Sequence, residues 1–381
     1  ITSFASLAFI LVFGAMSYLA LRERDREEVH SVPPAVGLAG TVVFFPLMLY
    51  HLARDQPGTF VTVVVLAVAV IGVELLYFER DVIEREVDAV ELGCGGFPGE
   101  DHLPREEYLD DEEKQDELHD LLDEYDMWVS ALATHNNPLH PDDERAARAD
   151  TELREAIELA DQLGVDAVTC FSGLPAGSDA GEVPNWITAP WPNEHAEAHE
   201  YQWELAVDYW SDLAEHAADH DVDIAIEMHP NMLVYEPHGL LDLREMTNEY
   251  VGANFDPSHL YWQGISITDA IRLLGEHDAI HHFHAKDTKV YEEQARTKGV
   301  LDTAGYTDET ERSWLFRSVG YGHGEDHWRD VVSTLRMIGY DGALSIEHED
   351  SLTSANEGLE KAVSLLDAVV FDTQPGEAHW V

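Results

Sequence analysis

From residue 81 onward, short apolar segments alternate with longer amphipathic ones, and no other feature of the sequence constrains the fold as strongly. The amphipathic segments repeat apolar residues at three- and four-residue steps, which predicts helices over 151–164, 199–220 and 326–339. The apolar segments predict seven strands: 87–93, 127–135, 165–173, 222–230, 250–258, 279–287 and 341–350. Strands that alternate with helices form a parallel sheet with right-handed crossovers. Seven such units predict an α/β fold, a (β/α)8 TIM barrel with one strand unaccounted for.

A doubly wound open sheet is the alternative arrangement of the same units. That fold carries a glycine-rich phosphate-binding turn, GxGxxG, after its first strand. The segment ELGCGGFPG at 91–99 has Pro98 where the third glycine should stand. These glycines are therefore better explained by a tight turn, and the barrel is the favoured prediction.

The chain is strongly acidic, with 75 Asp and Glu against 22 Lys and Arg and a net charge of −53. A carboxylate-rich surface holds water and cations and stays soluble in concentrated salt, where repulsion between charges is screened. We interpret this as a halophile's protein, and we expect no nucleic acid partner because such a surface repels phosphates. The two cysteines, Cys94 and Cys170, form no disulfide framework, which favours a reducing, cytoplasmic compartment.

Residues 1–80 differ from the rest of the chain, since they contain three apolar runs, at 3–21, 35–53 and 59–78. Each run is about 20 residues long, the length that spans a bilayer core. We therefore predict two to three transmembrane helices over 1–80 and a barrel domain over 81–381. Arginines follow the first and third runs, which places the barrel on the cytoplasmic side of a cell membrane.

The third run, 59–78, has a second interpretation. Its β-branched residues are also typical of a buried parallel strand, and it lies about where the first strand of a barrel is expected. In that case the protein is soluble and cytoplasmic. A barrel without its first strand would have an open edge, which favours association into a homo-oligomer.

Four successive predicted strands end in residues that can bind a metal ion. In a barrel, functional side chains lie at the C-terminal ends of the strands, so these residues should meet at one rim. Like charges that converge there repel one another unless a cation or a proton neutralises them. Three carboxylates and one imidazole suit Mn²⁺, Co²⁺ or Mg²⁺, and Zn²⁺ is a further candidate. The four ligand candidates are Glu227, Asp256, His284 and Glu347.

The strand predicted at 279–287 contains two more histidines. Alternation along a strand places His282 and His284 on one face and His281 on the other. We expect His281 to be structural. His282, one layer deeper inside the barrel, is expected to orient a neighbouring side chain rather than to bind a metal ion.

Seven segments share their pattern with one known superfamily: THNNPLHP (134–141), PNWITAPWP (184–192), IEMHPN (226–231), GANFDPSHLYWQG (252–264), HFHAKDT (282–288), FRSVGYGHGEDHW (316–328) and GYDGALSIEHEDSL (339–352). Together they resemble the xylose isomerase-like TIM-barrel superfamily, in its sugar phosphate isomerase/epimerase group. The resemblance covers roughly residues 81–370. It implies one divalent cation held by Glu227, Asp256, His284 and Glu347. It also implies isomerisation or epimerisation of a sugar or polyol.

The resemblance also implies roles for individual residues. Glu227 and Glu347 would take and return a proton next to a carbonyl, with Mn²⁺ as the first choice of cation. A metal-mediated hydride shift is the alternative mechanism. The candidate substrate contacts are His135, Trp186, Trp191, His229, His259, Lys286 and Arg317. Structural packing of the two tryptophans and a surface salt bridge for Arg317 are the competing interpretations.

Three other functions compete with the isomerase. A dehydratase of a cyclic polyol would use the same fold and the same residues. An AP-endonuclease-like hydrolase is suggested by DPSH at 256–259, but that branch uses three zinc ions and a further Asp-x-His pair, which does not occur between 288 and 345. A membrane-tethered, non-catalytic sugar-binding module would explain the atypical start of the barrel.

Overall fold

The computed structural model describes residues 87–371, together with Arg54 and Thr373. Within this part of the chain no helix is long and apolar enough to span a bilayer. The three apolar runs, the expected first strand and the predicted domain boundary at residue 80 lie outside it. The membrane anchor, and the cytoplasmic placement that follows from it, therefore stay predictions.

A parallel sheet forms the centre of the described residues. Its strands follow one another in chain order, from β1 to β6 and then β9, as expected for a barrel and not for a doubly wound sheet. A hydrogen bond from Oγ of Ser345 to Oε2 of Glu91, 2.7 Å long, links the last strand of this sheet to the first. The strands are β1 (Ala89–Gly93), β2 (Trp128–Ala133), β3 (Ala167–Phe171), β4 (Asp223–Glu227), β5 (Val251–Phe255), β6 (Ile280–Ala285) and β9 (Ser345–Ile346).

Helices connect the strands and cover the outside of the sheet. They are α1 (Arg105–Tyr108), α2 (Glu112–Glu124), α3 (Asp143–Leu163), α4 (Asn193–His220), α5 (Pro237–Met246), α6 (Ser258–Tyr261), α7 (Ile267–Gly275), α8 (Glu292–Lys298), α9 (Glu325–Ile338) and α10 (Ala355–Val369). The helix predicted over 151–164 begins earlier, because the Asp142 carboxylate accepts hydrogen bonds from the backbone amides of Glu144 and Arg145. It ends at Gly164, which adopts a left-handed conformation.

The core lies between the sheet and the helices. Strands β3 and β5 are buried along their whole length, which explains why neither sequence alternates apolar with polar residues. Two fully buried tryptophans fix helices to the segments that follow the strands: Nε1 of Trp210 donates to the carbonyl of Ser172 after β3, and Nε1 of Trp328 lies 3.4 Å from Oδ2 of Asp287 after β6.

Two features differ from the sequence-based prediction. The last strand of the sheet is only Ser345–Ile346, within the predicted 341–350. An unpredicted antiparallel pair, β7 (Asp287–Val290) and β8 (Trp314–Arg317), follows β6. The pair packs near the strand ends, where Oγ1 of Thr288 donates to the carbonyl of Ser258.

Candidate metal centre

The four predicted ligands meet at one rim of the sheet. Glu227 ends β4, Asp256 follows β5, His284 lies in β6 and Glu347 follows β9. One ligand atom from each lies within 4.8 Å of the others. Because parallel strands end at the same edge, residues far apart in sequence converge here, as the strand-end argument predicted.

His284 lies between carboxylates on both sides of its ring. Its Nδ1 lies 3.0 Å from Oε2 of Glu347 and 3.6 Å from Oε2 of Glu227. Its Nε2 lies 2.9 Å from Oε2 of Glu91. Burial alone would lower the pKa of His284, but the carboxylates of Glu91 and Glu347 outweigh it and hold that pKa well above its ordinary value.

The structure places Glu91 beside the four candidate ligands, a position that the sequence-based prediction missed. Besides His284, its carboxylate accepts hydrogen bonds from Oγ1 of Thr169 and Oγ of Ser345, both 2.7 Å long, and lies 3.3 Å from Nε2 of His282. Burial would raise the pKa of Glu91, but His284 and His282 hold it well below its usual range. A charged residue inside the apolar strand segment VDAVELG was the available signal, since a glutamate on a buried strand needs partners.

Glu227 is held between two histidines. Its Oε2 lies 3.0 Å from Nε2 of His135, and its Oε1 lies 2.9 Å from Nε2 of His259. Burial would raise the pKa of Glu227, but these two imidazoles hold it well below its usual range. His259 also lies 3.2 Å from Oδ2 of Asp256, and despite its burial the two carboxylates raise the pKa of His259 to about 9.

Lys286 is a buried cation among carboxylates. Its Nζ lies 2.9 Å from Oε1 of Glu347, 2.5 Å from Oε2 of Glu349 and 3.7 Å from Oδ2 of Asp256. It also lies 4.5 Å from the centre of the Phe316 ring. Burial would lower the pKa of Lys286, but the carboxylates raise it, so the ammonium is charged at neutral pH. Burial would raise the pKa of Glu347, but the charge of Lys286 helps to lower that pKa to about 2.

His229 borders the centre as a neutral ring. It packs between Phe171 and His259, with ring centres 4.6 and 4.3 Å away. Burial lowers the pKa of His229 to about 3. His282 contacts Glu91, as expected of an orienting residue. His281 lies on the opposite face, with its Nδ1 3.2 Å from Oδ2 of Asp223.

The remaining predicted substrate contacts lie farther out. Trp186 lines a cavity of about 910 Å³, together with Asn136, Arg145 and Asn231. Its indole packs edge-on against Tyr235, and its buried Nε1 has no hydrogen-bond partner among the described residues.

Two of the predicted substrate contacts, Trp191 and Arg317, make no contact with the candidate metal centre among the described residues. Trp191 is 79% exposed. Arg317 forms an ion pair with Asp350, its Nε 3.0 Å from Oδ2, which is the salt bridge considered as its alternative role. Their contacts with a substrate stay predictions.

Residues 82–369 match the family described as xylose isomerase-like TIM barrel. The chain belongs to the xylose isomerase-like TIM barrel family. The resemblance inferred from the sequence is thereby confirmed. Within the curated proteins, the uncharacterized protein YfiH of Bacillus subtilis (strain 168) is 37% identical over 288 residues, which cover 74% of this chain and 91% of YfiH.

Solved structures of this xylose isomerase-like fold show the same architecture at low identity. The probable 3-DHS dehydratase AsbF from Bacillus anthracis has a TM-score of 0.53 and 16% identity, over 77% of this chain and 93% of AsbF. The IOLI protein, solved with a bound zinc atom, has a TM-score of 0.52 and 20% identity, over 78% and 95% of the two chains. D-psicose 3-epimerase from Clostridium cellulolyticum H10, solved with D-tagatose, has a TM-score of 0.51 and 15% identity, over 77% and 91%.

Proposed function

We propose that this protein is a divalent-metal-dependent isomerase or epimerase that acts on a sugar or polyol by proton transfer next to a carbonyl. The observation that carries the proposal is the convergence of Glu227, Asp256, His284 and Glu347 within 4.8 Å at the strand ends. Membership in the xylose isomerase-like family supports it, and so does the overall likeness to an epimerase that binds D-tagatose.

The donor atoms of this centre fit a divalent cation. An ionised Glu91 only accepts hydrogen bonds, so the proton of a neutral His284 lies on Nε2 and its Nδ1 carries a lone pair. Nδ1 lies 3.0 Å from Oε2 of Glu347, a buried oxygen with no other hydrogen-bond partner among the described residues. Two acceptors this close need either a proton or a cation between them. Three carboxylates and one imidazole suit Mn²⁺ first, with Mg²⁺, Co²⁺ and Zn²⁺ as further candidates.

When bound, such a cation polarises a carbonyl and the adjacent hydroxyl, and so acidifies the proton on the carbon between them. Glu227 and Glu347 are the two carboxylates that we assign to proton transfer. They come from β4 and from the end of β9, with β5 and β6 between them. One takes the proton and the other returns it, and return to the opposite face of the carbon gives an epimer.

The neighbouring residues prepare these carboxylates and the substrate oxygen. His135 and His259 keep Glu227 ionised, so that it is ready to accept a proton. The ammonium of Lys286 is a charged donor for the oxygen that becomes negative when the carbon is deprotonated. His229 is neutral and can hold a substrate hydroxyl. Because His135 and His259 contact the two different oxygens of Glu227, they also fix the position of its carboxylate.

We assign the cavity lined by Trp186 as candidate space for the rest of the substrate because its lining residues Asn136 and Asn231 are close in the chain to His135 and His229; none of the four ligand candidates lines it. A volume of about 910 Å³ accommodates a monosaccharide together with ordered water. The indole of Trp186 offers an apolar face, and Asn136 and Asn231 offer amides for hydroxyl groups.

The proposal is tested by following the substrate carbon in deuterium oxide. A panel of ketoses and aldoses is incubated with the Mn²⁺-loaded protein, and deuterium incorporation is read by mass spectrometry. Proton transfer predicts turnover with deuterium incorporated from solvent, lost in Glu227→Gln and Glu347→Gln and kept in Glu245→Gln, an exposed glutamate on α5. Turnover without deuterium would instead indicate a hydride shift.

A dehydratase is the second candidate, because Lys286 could also protonate a departing hydroxyl after the same initial deprotonation. The likeness in fold to the probable dehydratase AsbF is compatible with this chemistry. The same experiment separates the two, since a dehydratase gives a product lighter by one water. A nuclease is the third candidate function, and in that case the protein should cleave abasic DNA. Sugar binding without any turnover would support a non-catalytic module.

A further inference from the structure

A second group of metal-binding side chains lies away from the barrel centre, between helices α3 and α4. His216 and His220 are four residues apart near the end of α4, so both point from the same face of the helix. Glu158 and Asp161 face them from α3. One ligand atom each from Glu158, His216 and His220 lies within 4.8 Å of the other two.

The distances between the possible ligand atoms of α3 and α4 are close to those found around a single bound ion. Nε2 of His216 lies 3.8 Å from Oε1 of Glu158, too far for a hydrogen bond. Two ligands of one tetrahedral zinc ion are about 3.3 Å apart, given metal–ligand distances of about 2.0–2.1 Å. The two imidazoles meet edge to face, with ring centres 4.8 Å apart. A small rearrangement of side chains would therefore bring the three ligands to one ion.

Two further observations point to a ligand and not to surface ion pairs. Nε2 of His216 is shielded from solvent and has no hydrogen-bond partner among the described residues. Nδ1 of His220 lies 2.8 Å from Oδ2 of Asp161, and a carboxylate at this nitrogen leaves the lone pair of a neutral ring on Nε2. A carboxylate that holds the second ring nitrogen is the usual partner of a metal-binding histidine.

We propose that Glu158, His216 and His220, with Asp161 behind His220, bind one borderline transition-metal ion such as Zn²⁺ and thereby clamp α3 to α4. Imidazole with carboxylate suits Zn²⁺, Ni²⁺ or Cu²⁺, and disfavours Mg²⁺ and Ca²⁺, which prefer oxygen ligands. All three ligands are partly exposed, so the ion can enter from solvent and keep a water as its fourth ligand. This site is independent of the proposed isomerase chemistry.

Helix α4 contains a matched control for this proposal. His195 and His199 have the same four-residue spacing on the same helix, but belong to no metal-binding group found in residues 87–371. Nε2 of His199 instead accepts a hydrogen bond from Nε1 of Trp203. A site that depends only on histidine spacing would form at both pairs, whereas the proposed site forms only at His216 and His220.

Zinc bound per chain, measured by equilibrium dialysis of the full chain, tests the proposal. Excess Mg²⁺ and molar KCl are present to displace ions from exposed carboxylates. The wild type should bind one zinc more than His216→Asn/His220→Asn, and the same amount as His195→Asn/His199→Asn. A variant of the barrel centre, Glu227→Gln/Asp256→Asn, should retain the zinc that depends on His216 and His220. Equal zinc binding by the wild type and the folded His216→Asn/His220→Asn variant would overturn the proposal.

Two additional measurements keep the test independent of the barrel centre. Co²⁺ in place of Zn²⁺ should give visible absorption bands of a tetrahedral ion, and Glu158→Gln should reduce them. Zinc should raise the thermal midpoint of the wild type more than that of His216→Asn/His220→Asn, because an ion that binds only the folded state stabilises it. Equal shifts and equal spectra in both proteins would count against the site, whatever the sugar chemistry of the barrel proves to be.

Discussion

Oε2 of Glu91 lies 2.9 Å from Nε2 of His284, the ring nitrogen that faces away from the other three candidate ligands. The contact joins the first described strand to β6 across the inside of the sheet. It fixes the orientation of the ring and directs Nδ1 towards Glu347 and Glu227. We therefore assign Glu91 to positioning His284 in the candidate metal centre rather than to binding the ion.

Replacing Glu91 by Gln should weaken metal binding. The amide can donate to Nε2 and favour the wrong tautomer, and it no longer supplies the negative charge. Loss of such an outer partner costs about 10–100-fold in metal affinity. Titration with Mn²⁺, followed by calorimetry, measures the change. Glu100→Gln, which alters a rim glutamate paired with Arg105, is the control and should leave the affinity within about twofold. An unchanged affinity in Glu91→Gln would remove its positioning role.

Metal uptake should release protons and strengthen as pH rises through the neutral range. In the metal-free protein the carboxylates around His284 raise its pKa well above the ordinary value, so the ring holds an extra proton. That proton stabilises the metal-free fold below the unfolded pKa of histidine, and the stabilisation is lost as pH rises through the folded pKa. A cation must displace the proton, so affinity should increase by up to about tenfold per pH unit for each proton released. Calorimetry in two buffers of different ionisation enthalpy counts these protons; equal heats would contradict the prediction.

Lys286→Met should strongly reduce turnover while leaving a metal ion bound. The methionine has a similar length but no charge, so the substrate oxygen loses its charged donor. Removal of one such donor costs about 10²–10³-fold in kcat. Lys289→Met changes an exposed lysine on β7 and is the matched control. Both kcat and Mn²⁺ content are measured. A lower kcat at unchanged Mn²⁺ content supports this role, because a purely structural role would reduce both together.

Salt should stabilise the protein more than it stabilises an ordinary one. With a net charge of −53, repulsion among carboxylates opposes the compact state, and screening reduces it. The screening length falls from about 10 Å at 0.1 M salt to about 3 Å at 1 M. The thermal midpoint should therefore rise steadily between these KCl concentrations. A midpoint that is constant or falls would contradict the interpretation of the sequence as halophilic.

The convergence of the four candidate ligands was predictable because it follows from topology. Parallel strands end at one edge, so Glu227, Asp256, His284 and Glu347 had to meet once each was placed at a strand end. Glu91 was missed for the opposite reason. It lies inside β1, before the strand end, and its partners come from β3, β6 and β9, which only the nearly closed arrangement of the sheet brings together.

The antiparallel pairing of β7 with β8 could not be predicted from the sequence. Its two strands are separated by more than twenty residues and pair through tertiary contacts, such as that of Thr288 with Ser258. The shortened β9 has a related cause. The chain leaves the sheet after Ile346, and Asp350 accepts hydrogen bonds from Arg317 and from the amide of Ser318 instead of continuing the strand. Local propensity carries no information about either contact.

The most direct test of the central claim is the content of divalent metal in the wild type and in Glu227→Gln/Asp256→Asn, each loaded with Mn²⁺ and dialysed in molar KCl. Glu245→Gln, handled in the same way, is the control. We predict that the double variant binds one Mn²⁺ fewer per chain than the wild type and the control. The same Mn²⁺ content in all three folded proteins would contradict a metal centre at the strand ends, and a loss of three ions would favour the nuclease.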